Sequence, residues 1–282
     1  SRSAQAKEFA SHLPNVTYFS DWKAMVDSGL CDAIVITVPH FLHHDVTIYA
    51  LEAGLHVLCE KPADVRASDV EKMIEVRAKT NGLALATLFN QRANPLFRRL
   101  KEIISSGELG EIRRSNWIMN DWWRPDSYYT SNEWRATWNG EGGGITVNQI
   151  PHQLDLWIML CGNPSLVYSV NRYGCHRNIA VENDVTITTE YPNGATGTFI
   201  ACTHDPLGTN RLEINLDKGK IVVENDEISH PDENRKYFII EDIKNTVIKV
   251  NNKMGENNYC FFPASIVGTS LYQELFPTNY DE

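Results

Sequence analysis

Between Ala33 and Phe89 the chain alternates short apolar runs with helical stretches, and this alternation constrains the fold more than any other feature. Ala33-Ile34-Val35-Ile36-Thr37-Val38 is an almost unbroken β-branched run, the pattern of a strand buried on both faces. Pro39 ends it. His44 to Ala53 has helical apolar spacing, and Gly54 closes that helix. His56 to Cys59 is the next strand. Ala67 to Thr80 is a helix with Val70, Met73, Ile74 and Val76 turned inward, and Leu83 to Phe89 is another buried strand. Upstream, Ala4 to Ser11 reads as helix, Val16 to Phe19 as a short strand, and Asp21 to Ser28 as a helix capped by Ser20 or Asp21. Strands and helices alternating at this spacing imply a parallel α/β sheet.

After Arg92 the texture changes. A helix is expected from Pro95 to Ser105, a strand from Ile112 to Asn120, and an aromatic loop from Trp122 to Trp138. Gly142-Gly143-Gly144 precedes a single helix from about Ile145 to Leu160. Strands then follow near 166–172, 184–191, 195–202, 211–216, 220–224, 236–241 and 246–250. Tyr191-Pro192-Asn193-Gly194 and Asp217-Lys218-Gly219 supply hairpin turns. Asn257 to Glu282 reads as loops anchored by Cys260-Phe261-Phe262-Pro263 and Phe276-Pro277. The fold class is therefore α/β: a partial Rossmann, doubly wound parallel sheet over 1–92, then an α+β domain with a mainly antiparallel open sheet over 93–282.

Composition narrows the partners. With 36 acidic against 26 basic residues the formal charge is −10, which disfavours a nucleic acid or an anionic membrane. Six scattered cysteines show no Cys-x-x-Cys and no histidine at metal spacing, so they read as reduced core residues of a cytoplasmic protein, with no metal site. No apolar run has the length of a membrane span. The sequon Asn15-Val16-Thr17 reads as a chance match.

Chemistry concentrates at the end of the second strong strand, in Cys59-Glu60-Lys61-Pro62. Ligands of doubly wound sheets bind outside the carboxyl ends of the strands, so this charged pair sits where a cofactor and a substrate would meet. Lys61 brings up to three donors on a flexible stem. A surface ion pair at a strand end is the plainer alternative.

Three patches together resemble the Gfo/Idh/MocA family, which includes glucose–fructose oxidoreductase and inositol dehydrogenase. They are Thr37-Val38-Pro39-His40-Phe41-Leu42-His43 with Cys59-Glu60-Lys61-Pro62; Phe89-Asn90-Gln91-Arg92 to Pro95; and Gly142-Gly143-Gly144 through His152 to Asp155. The resemblance covers roughly residues 1 to 250. It implies a Rossmann domain for NAD or NADP, a second domain for substrate and self-association, and oxidation or reduction of a hydroxyl-bearing carbon of a sugar or cyclitol. It further implies Lys61 and His152 as catalytic residues. Thr37, Pro39, His40, His43, Glu60, Lys61 and Arg92 would line the cofactor, and Asn148, His152, Trp123, Arg124 and Trp138 the substrate. A homodimer or homotetramer is expected. Asn148 stands where the family usually has an aspartate, four residues before the histidine. Asparagine cannot ionise, so a carboxylate relay to His152 is not expected.

Histidine suits general-base work near neutrality, and a lysine beside a developing alkoxide would stabilise it. The aromatic loop, with Trp117, Trp122, Trp123, Tyr128, Tyr129, Trp134 and Trp138 beside Arg124 and Arg135, suits either a sugar ring or an aromatic mini-core. His176 and Glu182 read as structural.

One family mark is missing. No G-x-G-x-x-G occurs in the chain. In a sheet of order 3-2-1-4-5-6 that loop follows the central first strand. The strand at Val16 would be the third, so a βαβ start of about 30 residues precedes it in the full pattern. With Ser1 in place of Met, an N-terminally incomplete enzyme is the expectation, and a short chain that does not bind dinucleotide is its rival. Ser1-Arg2-Ser3 lies where a ribose 2′ group would sit, which leaves NAD and NADP both open. Two other readings stand beside the dehydrogenase. One is an enzyme that cleaves a glycosidic bond with a retained nicotinamide, and the other a non-catalytic sugar-binding relative.

Overall fold

A computed structural model describes residues 3–224 and the backbone of 236–241, 245–251 and 257–263. The chain forms two units: residues 1–88 with 140–142, and residues 89–139 with 143–282.

The first unit holds α1 (Ser3–Ser11), α2 (Trp22–Val26), β1 (Ala33–Ile36), a 3-10 turn at His40–Leu42, α3 (His43–Glu52), β2 (His56–Cys59), α4 (Ala67–Lys79) and β3 (Leu85–Thr87). The three strands are parallel in the order β1-β2-β3. Asp21 caps α2, its carboxylate accepting from Ala24 N at 3.1 Å. Ile34, Ile36, Val57 and Cys59 form a core with Val26, Val46, Ala50 and Leu51, so α2 and α3 cover one face of the sheet.

Three expectations are corrected here. Neither β1 nor β3 is buried on both faces: β1 alternates, with Val35 62% exposed, and in β3 Leu85 and Thr87 are half-buried and Ala86 exposed. Val16 to Phe19 is not a strand: a strand needs a neighbour for its ladder, and no described strand pairs with it. On α4, Met73 is buried and Val70 and Val76 half-buried, but Ile74 points outward. At about 100° per residue Ile74 lies a quarter-turn or more from Met73, outside the buried stripe.

The second unit contains α5 (Pro95–Ser105), β4 (Ile112–Met119), α6 (Asp126–Thr130), α7 (Ile145–Asn148), α8 (Pro151–Cys161), β5 (Leu166–Tyr173), β6 (Glu182–Glu190), β7 (Thr196–Cys202), β8 (Asn210–Leu216), β9 (Gly219–Glu224), β10 (Lys236–Glu241), β11 (Asn245–Asn251) and β12 (Asn257–Pro263). The strands form one sheet, ordered β12-β11-β10-β9-β8-β4-β7-β6-β5. Neighbours are antiparallel except β4 with β7 and β9 with β10. The mainly antiparallel sheet expected from the sequence is thus present. The last segment differs: Cys260 to Pro263 lies in a strand paired with β11, not in a loop. Phe276-Pro277 lies outside the described residues.

Asn94 caps α5 by accepting from Leu96 N at 3.0 Å, and Pro95 opens it. Leu96, Phe97, Leu100 and Ile103 then recur on one face and enter the core with Leu156, Trp157 and Leu160 of α8. Phe199 of β7 is fully buried, with the Trp117 and Trp157 rings at 5.6 and 5.5 Å.

Candidate functional site

Because β1 and β2 are parallel, with Ile36 opposite Cys59, their carboxyl ends open onto the same edge. Glu60 N donates to Ile36 O at 2.9 Å, extending the ladder by one residue, and Lys61 N donates to Glu60 Oε2 at 3.0 Å. The Lys61–Pro62 peptide is cis. Thr37 and Pro39 are exposed, and Glu60 and Lys61 half-buried.

The histidines of this edge are held by backbone. His43 is buried, with Nδ1 2.7 Å from Pro62 O and Nε2 2.9 Å from Val38 O, so its ring joins the loops after β1 and β2. His40 is also buried, with Nδ1 2.8 Å from Glu141 O. Burial pushes the His40 pKa below its ordinary value, and the nearby His43 and Lys61 act the same way; the Glu141 carbonyl partly opposes them. Buried Asp64 accepts from Val65 N at 2.7 Å and pairs with His44 Nδ1 at 2.9 Å. Gly142 has φ +85°, and a Cβ there would lie 2.3 Å from Val65 Cγ1. The sequence alone gave no sign that 140–142 joins the first unit.

In the second unit the glycine run is explained by close approach. A Cβ on Gly144 would lie 1.9 Å from the Glu182 carbonyl oxygen, and one on Gly143 2.5 Å from Val147 Cγ2. The buried Glu182 carboxylate accepts from Gly144 N at 2.9 Å, from Thr146 N at 3.2 Å and from the Thr146 hydroxyl. These bonds let Glu182 fix the entry to α7.

The single helix expected over 145–160 is two helices. Pro151 has no N–H to continue the ladder. Ile150 N instead reaches back to Ile145 O at 3.0 Å, ending α7, and Pro151 opens α8. Asn148 closes α7 and His152 begins α8, so they do not share one continuous helix. His152 is half-buried and meets Phe89 edge-on at 5.8 Å. Arg92 donates to Asp155 from Nε at 2.7 Å and from Nη2 at 2.6 Å, a two-point pair that the carboxylate reinforces by raising the guanidinium pKa.

Tyr128 is the hub that sequence reasoning passed over. The Arg124 and Arg135 guanidinium carbons lie 5.2 and 4.5 Å from its ring centroid. Its hydroxyl accepts from Arg135 Nη1 at 2.9 Å, Asn148 Nδ2 at 3.3 Å and Gln149 Nε2 at 3.4 Å. Tyr128 stood in the aromatic cluster, but nothing in its spacing separates it from its neighbours. Arg124 also lies 5.4 Å from the Trp122 centroid, and its carbonyl accepts from Arg177 Nε at 3.0 Å. Trp123 is exposed, with Arg177 5.6 Å from its ring. Trp138 is also exposed, and its Nε1 donates to Ala180 O at 3.1 Å. Among the described residues, Arg124 Nε, Arg135 Nε, Gln149 Oε1 and Gln153 Oε1 are buried without a hydrogen-bond partner.

Comparison with known proteins gives the family. Residues 1–87 match the model described as "Oxidoreductase family, NAD-binding Rossmann fold", and residues 97–222 match the GFO/IDH/MocA C-terminal domain. The nicotinamide cofactor expected from the sequence is therefore the one this family model describes. The chain is 35% identical over 162 residues to the uncharacterized oxidoreductase YdgJ of Escherichia coli, covering 57% of this chain and 45% of that protein. It is 26% identical over 228 residues to the levoglucosan dehydrogenase of Pseudarthrobacter phenanthrenivorans, covering 72% and 58%. The chain thus spans about half the length of the curated relatives it matches. The structure of the WlbA dehydrogenase from Bordetella pertussis in complex with NADH and UDP-GlcNAcA matches with a TM-score of 0.72 at 27% identity, over 82% of this chain and 68% of that one. Among the described residues no helix is long and apolar enough to cross a membrane. Both halves of the chain match models of one family, and the chain belongs to the GFO/IDH/MocA oxidoreductases.

Proposed function

We propose that this chain acts as an NAD(P)-dependent oxidoreductase on a hydroxyl-bearing carbon of a sugar or cyclitol, with Lys61 and His152 as its catalytic residues. The observation that carries the reading is the paired carboxyl ends of β1 and β2, which bring Thr37, Pro39, Glu60 and Lys61 to one edge of a parallel sheet. The levoglucosan dehydrogenase relative and the neighbour solved with NADH and a nucleotide sugar support it.

The donor set of that edge fits the nicotinamide end of a dinucleotide. Thr37 and Pro39 offer an exposed wall, His40 and His43 keep the two loops in place, and Glu60 and Lys61 supply opposite charges. No glycine fingerprint lies in this sequence, so these residues would hold only that end. Residues 1–92 are the cofactor half in this reading and 93–282 the substrate half. Arg92 belongs to the cofactor set in this reading, its guanidinium steadied by Asp155. A nicotinamide held there would supply the hydride chemistry at the carbinol carbon. In this reading His152 is the base for the hydroxyl proton, and Lys61 is a donor that stabilises a developing alkoxide. Asn148 orients a hydroxyl without moving a proton. Trp123, Arg124 and Trp138 offer ring faces and a cation to the sugar. The pyridine cofactor is NAD or NADP.

The exposed Leu166, Val167, Tyr168, Val170 and Tyr173 on β5 support self-association as a homodimer or homotetramer. The free thiols of Cys31, Cys59, Cys161, Cys175 and Cys202 suit a reducing, cytoplasmic setting.

The test is NADH and NADPH binding by energy transfer from the tryptophans, followed by turnover on a sugar and cyclitol panel. Lys61→Ala should lower turnover by about 100-fold or more. Undiminished turnover removes Lys61 from the chemistry. A second reading, a non-catalytic sugar binder, draws on Asn148, which cannot ionise and donates to Tyr128. Sugar affinity with no cofactor binding would select it.

A further inference from the structure

The end of the sheet at β5, β6 and β7 gathers metal-ligating side chains that the oxidoreductase reading does not use. Asp184 lies on β6 opposite Cys202 of β7. His204 follows two residues beyond β7, and Cys175 lies in the connection from β5 to β6. We propose that Cys175 Sγ, Asp184 Oδ2 and His204 Nε2 form a three-ligand site for a zinc-class divalent cation, with solvent completing its shell.

Four observations support it. First, one ligand atom from each of the three residues lies within 4.8 Å of the others, and His204 Nε2 is already 3.1 Å from Asp184 Oδ2. Tetrahedral zinc with bonds of about 2.0–2.3 Å spaces its ligands about 3.3–3.8 Å apart, so small side-chain adjustments close the set. Second, the backbone of Cys175 is fixed on both sides: its N–H donates to Asn183 Oδ1 at 2.8 Å, and its carbonyl accepts from Asn183 Nδ2 at 2.8 Å. Third, the other nitrogen of His204, Nδ1, lies 3.4 Å from Asp205 Oδ1. Asp205 Oδ2 in turn accepts from Asn120 Nδ2 at 2.5 Å. A carboxylate behind the distal nitrogen is the usual way a metal-binding imidazole is oriented. Fourth, all three ligands are partly accessible, so an ion can enter.

The donor chemistry selects the ion. Thiolate with imidazole and carboxylate suits zinc, whereas magnesium and calcium take oxygen donors. A neighbouring trio, Cys202, His204 and Asp205, also meets the distance condition, but its thiol is buried. Occupancy of the Cys175 site would tie the β5–β6 connection to the segment after β7. The pattern was invisible in the sequence, where Cys175 and His204 are not at any familiar ligand spacing.

The test uses the whole chain, expressed without a histidine tag and reduced, titrated with Co²⁺ alone. Binding at one equivalent should give a thiolate-to-cobalt charge-transfer band and strong visible bands of a low-coordinate ion, both removed by Zn²⁺. Cys175→Ser should abolish the charge-transfer band, with circular dichroism and metal-free thermal midpoint unchanged. Asp184→Asn and His204→Gln should each weaken binding at least about tenfold, and Asp205→Asn about tenfold through the imidazole. Cys202→Ser should leave the band intact. Absence of the band in the folded wild-type chain overturns the proposal, leaving His204 as a histidine paired with two carboxylates. A band that survives Cys175→Ser, or is lost with Cys202→Ser, overturns the ligand assignment.

Discussion

The two candidate clusters are held in opposite ways. At the β1–β2 edge, side chains grip backbone: His43 spans two carbonyls, His40 meets a third, and Asp64 accepts backbone amides. Around Tyr128, side chains grip each other: two guanidinium groups lie over one ring, and three side-chain donors converge on one hydroxyl. Backbone partners are fixed by the path of the main chain, even where, as with Glu141, it returns from 101 residues away. Side-chain partners can change rotamer and pair again, and their energies couple. The first cluster should thus fail locally when altered, and the second should redistribute its contacts.

The largest effect tests neither cluster but the frame beneath the second. Gly144→Ala drives a Cβ into the Glu182 carbonyl, where the backbone cannot yield cheaply, and should cost about 3 kcal/mol or more in denaturant unfolding. A cost below about 1 kcal/mol would show that α7 can shift, and the frame would not be rigid. Next comes Glu182→Ala, which strands the Gly144 and Thr146 donors and should cost about 2 kcal/mol, with Glu182→Gln recovering part of it. Equal losses for the two variants would mean that charge, not acceptor geometry, matters there.

His43→Leu, which keeps bulk but removes both carbonyl contacts, should cost about 1–2 kcal/mol. Tyr128→Phe keeps the ring under both guanidiniums and should cost about 1 kcal/mol or less, since Arg135, Asn148 and Gln149 can find water or each other. If Tyr128→Phe proved costlier than His43→Leu, the contrast between the clusters would be reversed. The smallest effect concerns pH. His40 has a lowered folded pKa, chiefly from burial, so the unfolded chain binds its proton first. The stability it contributes is full above the unfolded value of about 6.5 and is lost as pH falls through the lower folded value. Thermal midpoints measured downward from neutrality should fall less steeply in His40→Asn than in wild type, and parallel curves would assign the acid sensitivity elsewhere.

The same contrast governs what could be read in advance. The α/β alternation, the strand His56–Cys59 and the hairpin at Asp217-Lys218 were legible because each depends on neighbours in the chain. The burial of β1 was misjudged because β-branched content reports strand propensity, not how many faces are covered. The break at Pro151 was available in the sequence, since a proline inside a helical pattern ends the ladder, but the apolar periodicity across it hid the signal. The turn-rich end concealed β12, whose pairing with β11 is a long-range choice.

By itself the sequence determined the parallel strand–helix alternation, the position of Lys61 at a strand end, and the family patterns in their order, because local propensity and contiguous motifs need no third dimension. Tertiary structure alone decided that Gly144 must be glycine against Glu182, that Arg92 pairs with Asp155, that Tyr128 gathers two arginines and two amides, and that Cys175 and His204 bring ligand atoms within 4.8 Å of each other. Most of those are contacts between segments far apart in the chain, and no spacing rule records a distance that only the folded chain creates.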